Sequence, residues 1–248
     1  MSRTRIVLGS LAFTSFLFLS VPFYALIPLA CALGSWETRF IGVRWWVSSI
    51  FFMLRVCCRL DYRVEGAENL GSENAVALVK HSSAWETIAQ LEIFPRQTWV
   101  LKRELLWLPF FGWVLSLLKP IAINRGARGA AVNQVIEQGK ARLAEGFWVI
   151  VFPEGTRVPF GESRRYGLSG ALLAREAGRP VVPVAHDAGF YWARRGWLKK
   201  PGTIRVVIGA PIETQGRDPR EINEEVRTFI ESTLERLDAE RNTSHVEV

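Results

Sequence analysis

The sequence predicts an α/β fold with a mostly parallel central sheet and helices on both faces, preceded by N-terminal membrane-embedded helices. Three observations lead there. Beyond Arg59, short apolar β-branched runs alternate with helix-period segments; several of those runs end in polar, chemically capable stretches; and in a chain of 248 residues no charged residue lies between Arg5 and Glu37. Alternating strands and helices imply parallel pairing beneath two helical layers, and ligands of such sheets gather outside the carboxyl ends of the strands.

The charge-free interval exceeds the roughly 20 apolar residues that cross a bilayer. Arg3 and Arg5 precede it as in a signal peptide, but it is too long for one and no small-x-small cleavage site leads into a polar sequence. The segment is therefore expected to be retained. Pro22 and Pro28 interrupt it, which favours a kinked helix, or a hairpin entering and leaving by the same face, over a straight span. Whether it spans or enters one leaflet is open. From Phe40 to Cys58, Trp45, Trp46, Ile50, Phe51 and Phe52 mix with Arg39, Arg44, Arg55 and Arg59 at the ends, as in a helix at the headgroup layer. This divides the chain into membrane-anchoring helices at 1–58 and an α/β domain at 59–248.

The three cysteines, Cys31, Cys57 and Cys58, all fall in these apolar stretches, which speaks against a disulfide scaffold or zinc site and for a reducing, cytoplasmic-side location of the soluble part. The formal charge of +7 suits an anionic membrane surface or phosphorylated substrates. No basic helix, zinc finger or RNP-like aromatic pattern points to nucleic acid. Histidines stand only at 81, 186 and 245, without His-Glu-x-x-His, so no zinc hydrolase or metalloprotease is expected.

In the α/β part, strands are expected at Leu60–Val64, Ala75–Val79, Thr98–Leu101, Ile121–Ile123, Phe147–Phe152, Val181–Ala185 and Ile204–Ile208. Ser83-Ala84-Trp85-Glu86 has capping-box spacing, so a helix begins beside His81 and runs toward Ile93 until Pro95 stops it. Ala130–Ala144 and Leu168–Ala177 read as helices closed by Gly146 and Gly178. Asp218 and Pro219 open a last helix, with Glu221 closing its box, whose Ile222, Val226, Phe229, Ile230, Leu234 and Leu237 form one apolar face; beyond Glu240 the chain is expected to fray. His81, Arg125, Glu154 to Arg157 and His186 each follow a strand and are expected to converge on one edge.

Imidazole suits proton abstraction from a hydroxyl near neutral pH, its unperturbed pKa being about 6.5. To keep its tautomer, His81 needs a partner on the other ring nitrogen. Glu86, across a turn into a helix, is positioned to accept that bond, and equally positioned to cap the helix. Ser82 and Ser83 lack a Gly-x-Ser-x-Gly elbow and read as capping residues. In Glu154-Gly155-Thr156-Arg157, Gly155 lets the backbone approach a ligand, Thr156 adds a hydroxyl and Arg157 offers a fork to phosphate oxygens. Glu154, an anion, is expected to pair with Arg157 or Arg125 and hold the guanidinium rigid. Arg125 is a second phosphate candidate or a solvated arginine. Together these residues suggest a catalyst acting on a hydroxyl beside a phosphate. Lys102 and Arg103 precede an apolar run through Trp113 that lines an acyl groove, dips into lipid or forms ordinary core. His186 is expected to be structural.

In this order and spacing the motifs resemble the glycerolipid acyltransferase family, most closely its bacterial branch acting on 1-acylglycerol-3-phosphate. The family's first motif is histidine, four residues, then aspartate; here His81 and Glu86 stand at its ends, glutamate replacing aspartate and adding a methylene to the pairing arm. Ile121 to Arg125 resembles the family's second motif, Phe152 to Arg157 its third, and Val181 to Ala185 its fourth. The resemblance runs from about Val76 to Gly189.

It implies a membrane-bound enzyme of phospholipid biosynthesis, without a metal or cofactor, on the cytoplasmic side of a bacterial inner membrane. His81 and Glu86 would be catalytic, with Arg125, Glu154, Gly155, Thr156 and Arg157 binding substrate. His81 would deprotonate the sn-2 hydroxyl of lysophosphatidic acid, which attacks an acyl thioester of acyl carrier protein or coenzyme A to give phosphatidic acid. Arg125 and Arg157 would grip the phosphate, and backbone N–H groups near Gly155 are candidates for the oxyanion site. Two competing expectations remain: acylation of glycerol-3-phosphate or another lysolipid, and a non-catalytic membrane-anchored lipid-binding protein, encouraged only by the glutamate at 86.

Overall fold

Ser2 opens the first helix, α1 (Arg3–Ala30), by accepting the Arg5 N–H on its hydroxyl. A second, α2 (Trp36–Cys58), starts where the Ser35 hydroxyl accepts the Thr38 N–H at 3.2 Å, and ends at Arg59 in the left-handed region. These elements belong to a computed structural model that describes residues 2–124, 126 and 129–246, with side chains only as far as Thr243. Pro22 and Pro28 both lie inside a continuous α1, so of the two expectations for this segment the hairpin within it does not form. The hairpin forms instead between α1 and α2. Its close fit supports the helix where proline removes backbone bonds: Gly42 lies against Ile27 and Pro28, where a Cβ would come within 2.6 Å of the Pro28 ring. At the other end of the hairpin, a Cβ on Gly9 would stand 2.0 Å from the Cys57 carbonyl oxygen.

One flank of the hairpin is apolar and uncovered, with Phe18, Leu19 and Phe23 exposed by 70, 75 and 68%. Both helices are long and apolar enough to cross a membrane, and a surface of this kind fits membrane association. The opposite flank is core. Phe13, Val47, Ile50 and Leu54 pack with the sheet, and the Lys199 backbone N–H donates to the Ser10 hydroxyl at 2.9 Å, tying α1 to the α/β body.

The rest alternates: β1 (Leu60–Glu65), β2 (Val76–Val79), α3 (Trp85–Ile93), β3 (Gln97–Lys102), α4 (Phe111–Leu117), β4 (Ile121–Ile123), α5 (Gly129–Ala144), β5 (Trp148–Val151), α6 (Ser169–Ala177), β6 (Val181–His186), α7 (Ala188–Tyr191), β7 (Gly202–Ile208) and α8 (Pro219–Val246). Among the described residues the strands form one seven-stranded sheet in the order β1-β7-β6-β2-β5-β3-β4. All neighbours are parallel except β6 and β7. The mostly parallel sheet with helices on both faces is as the sequence predicts. Leu78 pairs with Val151 on one side and Pro183 on the other, so β2, β5 and β6 end together. Residues just beyond them share one edge.

Alternate side chains divide into two cores. Val79, Ile150 and Val184 face α2 and α3 with the hairpin; Leu78, Val151 and Ala185 face α5, α6 and α8. In α8, Ile222, Val226, Ile230 and Leu237 are buried as its apolar stripe predicts, and Asp218 caps it by accepting the Arg220 N–H at 2.8 Å. The expected fraying after Glu240 is absent: α8 continues to Val246, with the Arg241 guanidinium 3.8 Å from the Phe190 ring centre and 3.7 Å from Asp187. Cation–π and ionic contacts hold that turn down.

Gly9→Val should force the hairpin apart. Overpacking of this kind costs about 1–3 kcal/mol, and thermal unfolding in detergent should show a lowered midpoint; an unchanged midpoint would mean the helices separate freely.

Candidate active site

Where β2 ends, the chain turns sharply and buries a run of polar residues from Lys80 to Ser83. The His81 backbone N–H donates to Glu154 Oε2 at 2.6 Å, and its carbonyl accepts the Val158 N–H at 2.7 Å, so the turn is clamped to the loop after β5. The imidazole lies flat on Phe152, ring centres 4.2 Å apart. Its Nδ1 is 2.8 Å from Glu86 Oε1.

Glu86 performs both duties the sequence allows. Its Oε1 also accepts the N–H groups of Ser82 at 3.0 Å and Ser83 at 2.9 Å, closing the start of α3. The Ser83 hydroxyl departs from the capping-box pattern, taking the Trp85 N–H and donating to the Trp192 carbonyl at 2.6 Å. Burial alone would raise the Glu86 pKa, but the His81 bond, the electrostatic influence of the two histidines and the Ser83 N–H outweigh it, leaving the carboxyl below its usual range. An ionised Glu86 can only accept, so His81 carries a proton on Nδ1, which leaves Nε2 as the ring nitrogen open to exchange a proton. Among the described residues nothing bonds Nε2. The extra methylene of glutamate therefore leaves the pairing intact.

His186, at the end of β6, is a structural neighbour of this pair. The Ala188 N–H donates to its Nδ1 at 3.3 Å, so Nε2 carries the proton and donates to the Lys80 carbonyl at 2.7 Å. Its Nε2 is 3.9 Å from Glu86 Oε2.

Of the two expected partners of Glu154, Arg157 does not pair with it and Arg125 lies outside the described residues. Glu154 Oε1 lies 2.8 Å from Lys80 Nζ, with side chains 0 and 3% exposed, and its other oxygen holds His81. Burial still pushes its carboxyl above the usual range, against the pull of Lys80 and the His81 N–H. Lys80 also reaches Glu231 Oε1 at 3.3 Å, which accepts the hydroxyls of Ser163 and Tyr166, each at 3.1 Å. The Glu154 carboxylate is thus turned inward, toward the buried Lys80 ammonium and the His81 N–H.

In the same loop, Gly155 has φ +66°, a conformation glycine adopts freely, and donates its N–H to the Phe152 carbonyl at 3.0 Å. That donor is committed to the turn, which removes it from the expected oxyanion site. Thr156 is half-buried and accepts from Arg194 Nη2 at 3.4 Å. Arg157 is half-buried; among the described residues it has no carboxylate partner, and its Nε is buried with no acceptor. Arg125 lies outside the described residues.

Lys80, Phe152 and Arg194 belong to this site without having been assigned a role in it from the sequence. Lys80 had a visible signal, a lysine directly at the end of an apolar strand. Arg194 had none, lying far along the chain in an ordinary basic loop. The apolar run after Lys102 forms a short 3-10 turn and α4 beside α1, with Trp107 and Trp113 at the surface. An apolar pocket opens there between Tyr24, Trp46, Trp99, Val114 and Leu115.

A carboxylate-bonded imidazole at the strand ends of a doubly covered sheet, beside an apolar hairpin, fits the class of membrane-associated α/β enzymes. Comparison narrows the class. Residues 61–187 match the acyltransferase family model. A 1-acyl-sn-glycerol-3-phosphate acyltransferase of Pseudomonas aeruginosa is 43% identical over 213 residues, 84% of this chain and 82% of the relative. The human beta form of the enzyme so named is 27% identical over 216 residues, 78% of this chain and 76% of its own. The crystal structure of the 1-acyl-sn-glycerophosphate acyltransferase from Thermotoga maritima shares the fold, with a TM-score of 0.79 at 23% identity over 96% of this chain and 98% of that one. The chain belongs to the acyltransferase family.

Two outcomes follow from the buried charges. Because the folded pKa of Glu86 is depressed, its stabilisation is complete above the ordinary value of 4.5 and is lost as pH falls through the lowered folded value. The stability gap between the wild type and Glu86→Gln, measured by denaturant unfolding, should therefore be widest near neutral pH and close in acid. Glu154→Gln keeps an acceptor for His81 but leaves Lys80 with only the longer, partly exposed Glu231 contact, at a cost on the order of 3 kcal/mol. Adding Lys80→Met should recover most of that loss; no recovery would mean the pair is not what holds the loop.

Proposed function

We infer that the chain transfers a fatty acyl group from an acyl thioester to the sn-2 hydroxyl of 1-acyl-sn-glycerol-3-phosphate, giving phosphatidic acid. One observation supports this chemistry above the rest: an ionised, enclosed Glu86 bonds His81 Nδ1 at 2.8 Å while Nε2 is left to act as a base.

Nε2 takes the hydroxyl proton as the oxygen attacks the thioester carbonyl. A C–O bond forms, the C–S bond breaks, and the imidazolium returns its proton to the departing thiolate, with Glu86 stabilising the cation between these steps. Positioned general-base catalysis of this type contributes about 100- to 10,000-fold. Arg157, whose guanidinium has no carboxylate partner among the described residues, grips the acceptor's phosphate, assisted by Arg194 through the shared Thr156 loop and by Arg125. Gly155 gives the loop its turn, and Glu154 supports the site from behind by holding His81 and Lys80. The donor is a thioester of acyl carrier protein or coenzyme A. The hairpin holds the enzyme on the cytoplasmic face of a bacterial inner membrane, where the acceptor already resides.

His81→Ala should lower turnover of lysophosphatidic acid by at least about 100-fold while the protein still sediments with membranes. Radiolabelled acyl thioester and an acceptor panel including glycerol-3-phosphate and other lysolipids provide the measurement; preserved turnover would remove His81 as the base, and preference for another acceptor would change the substrate.

A further inference from the structure

The sheet separates two environments. The apolar hairpin, with α3, covers one face, while α5, α6 and α8 cover the other. On that second face, the 163–168 loop and the first turns of α8 enclose an open cleft of about 570 Å3. Arg164, Arg165, Arg220 and Arg227 line it, and the one carboxylate among its lining residues, Glu224, is bonded to Arg227. Arg164, Arg165 and Arg220 have no carboxylate partner among the described residues. Asn223, 8% exposed, lines the cleft; its Nδ2 donates to the Tyr166 carbonyl at 3.4 Å and, among the described residues, its Oδ1 has no partner. A buried amide oxygen left unbonded costs about 1–3 kcal/mol as a rule, which favours a ligand with a donor to offer.

The cleft is joined to the reacting centre. Tyr166, which also lines it, bonds Glu231 at 3.1 Å; Glu231 meets Lys80 at 3.3 Å; Lys80 pairs with Glu154 at 2.8 Å; and Glu154 holds the His81 N–H at 2.6 Å. We propose that this cleft binds the phosphate of the phosphopantetheine arm that carries the acyl thioester, with Asn223 Oδ1 accepting from an amide N–H of the arm. The proposal rests on the acyl-transfer function inferred above. Its logic is one of direction. An acceptor embedded in lipid comes from the hairpin side, whereas a water-soluble donor comes from the side turned away from lipid, and both must meet at the strand ends. Unpaired guanidinium groups recognise the anionic oxygens of an esterified phosphate through paired N–H donors, and both acyl carrier protein and coenzyme A thioesters carry such a phosphate at that end of the arm.

The test uses the full-length enzyme with lysophosphatidic acid and three donors bearing the same acyl group: acyl carrier protein, coenzyme A, and pantetheine without phosphate. In Arg164→Glu/Arg220→Glu, kcat/KM for each phosphate-bearing donor, taken relative to acyl-pantetheine in the same variant, should fall about tenfold or more. The neutral Arg164→Gln/Arg220→Gln pair should give a smaller fall in both ratios. Because each ratio is internal to one preparation, partial misfolding does not mimic the effect. Two unchanged ratios overturn the proposal. A fall for coenzyme A alone overturns it in favour of the adenosine phosphates, and a fall for the carrier protein alone overturns it in favour of that protein's acidic surface. Absence of turnover by the wild type with every donor sinks the acyl-transfer function itself, and this proposal with it.

Discussion

Two carboxylates enclosed on either side of one histidine constrain the rest of the molecule. Neither Glu86 nor Glu154 can remain charged out of water without donors arranged around it, and each collects those donors from different parts of the chain. Glu86 draws in the imidazole and two backbone N–H groups, which sets the turn after β2, the start of α3 and the tautomer of His81. Glu154 draws in Lys80 and the His81 N–H, which ties the loop after β5 to the same turn. The histidine is consequently held by backbone and ring alike, and the stacking of Phe152 beneath it limits the remaining rotation.

The order of strands makes this possible. β2, β5 and β6 are adjacent and in register, so the residues that follow them are neighbours although separated by many positions in sequence. The same sheet keeps two surfaces apart. Apolar side chains exposed on α1 and α2 suit lipid, while arginines around the start of α8 suit phosphate in water.

Much of the fold was legible because its signals are local. Apolar runs located every strand, and Gly146, Gly178 and Asp218 marked helix ends through their own backbone or side-chain chemistry. The prolines of α1 left a kinked helix and a hairpin both open, since a local rule cannot see α2 packing over the weakened turns of one continuous helix. The end of α8 misled for a related reason: its polar composition suggested fraying, but Arg241 is retained by Phe160, Phe190 and Asp187, all remote in sequence. In the site, His81 and Glu86 were readable because only a short turn separates them.

By itself, then, the sequence determined the fold class, the apolar hairpin's chemistry, the histidine–carboxylate pair and the family's motifs, since each depends on residue type and short-range spacing. Tertiary structure alone decided the partner of Glu154, the commitment of the Gly155 N–H, the arrival of Arg194 beside Thr156 and the assembly of the arginine cleft. Those contacts arise between segments brought together by strand order and burial, and the energy of a charge in a folded protein depends on what surrounds it in space.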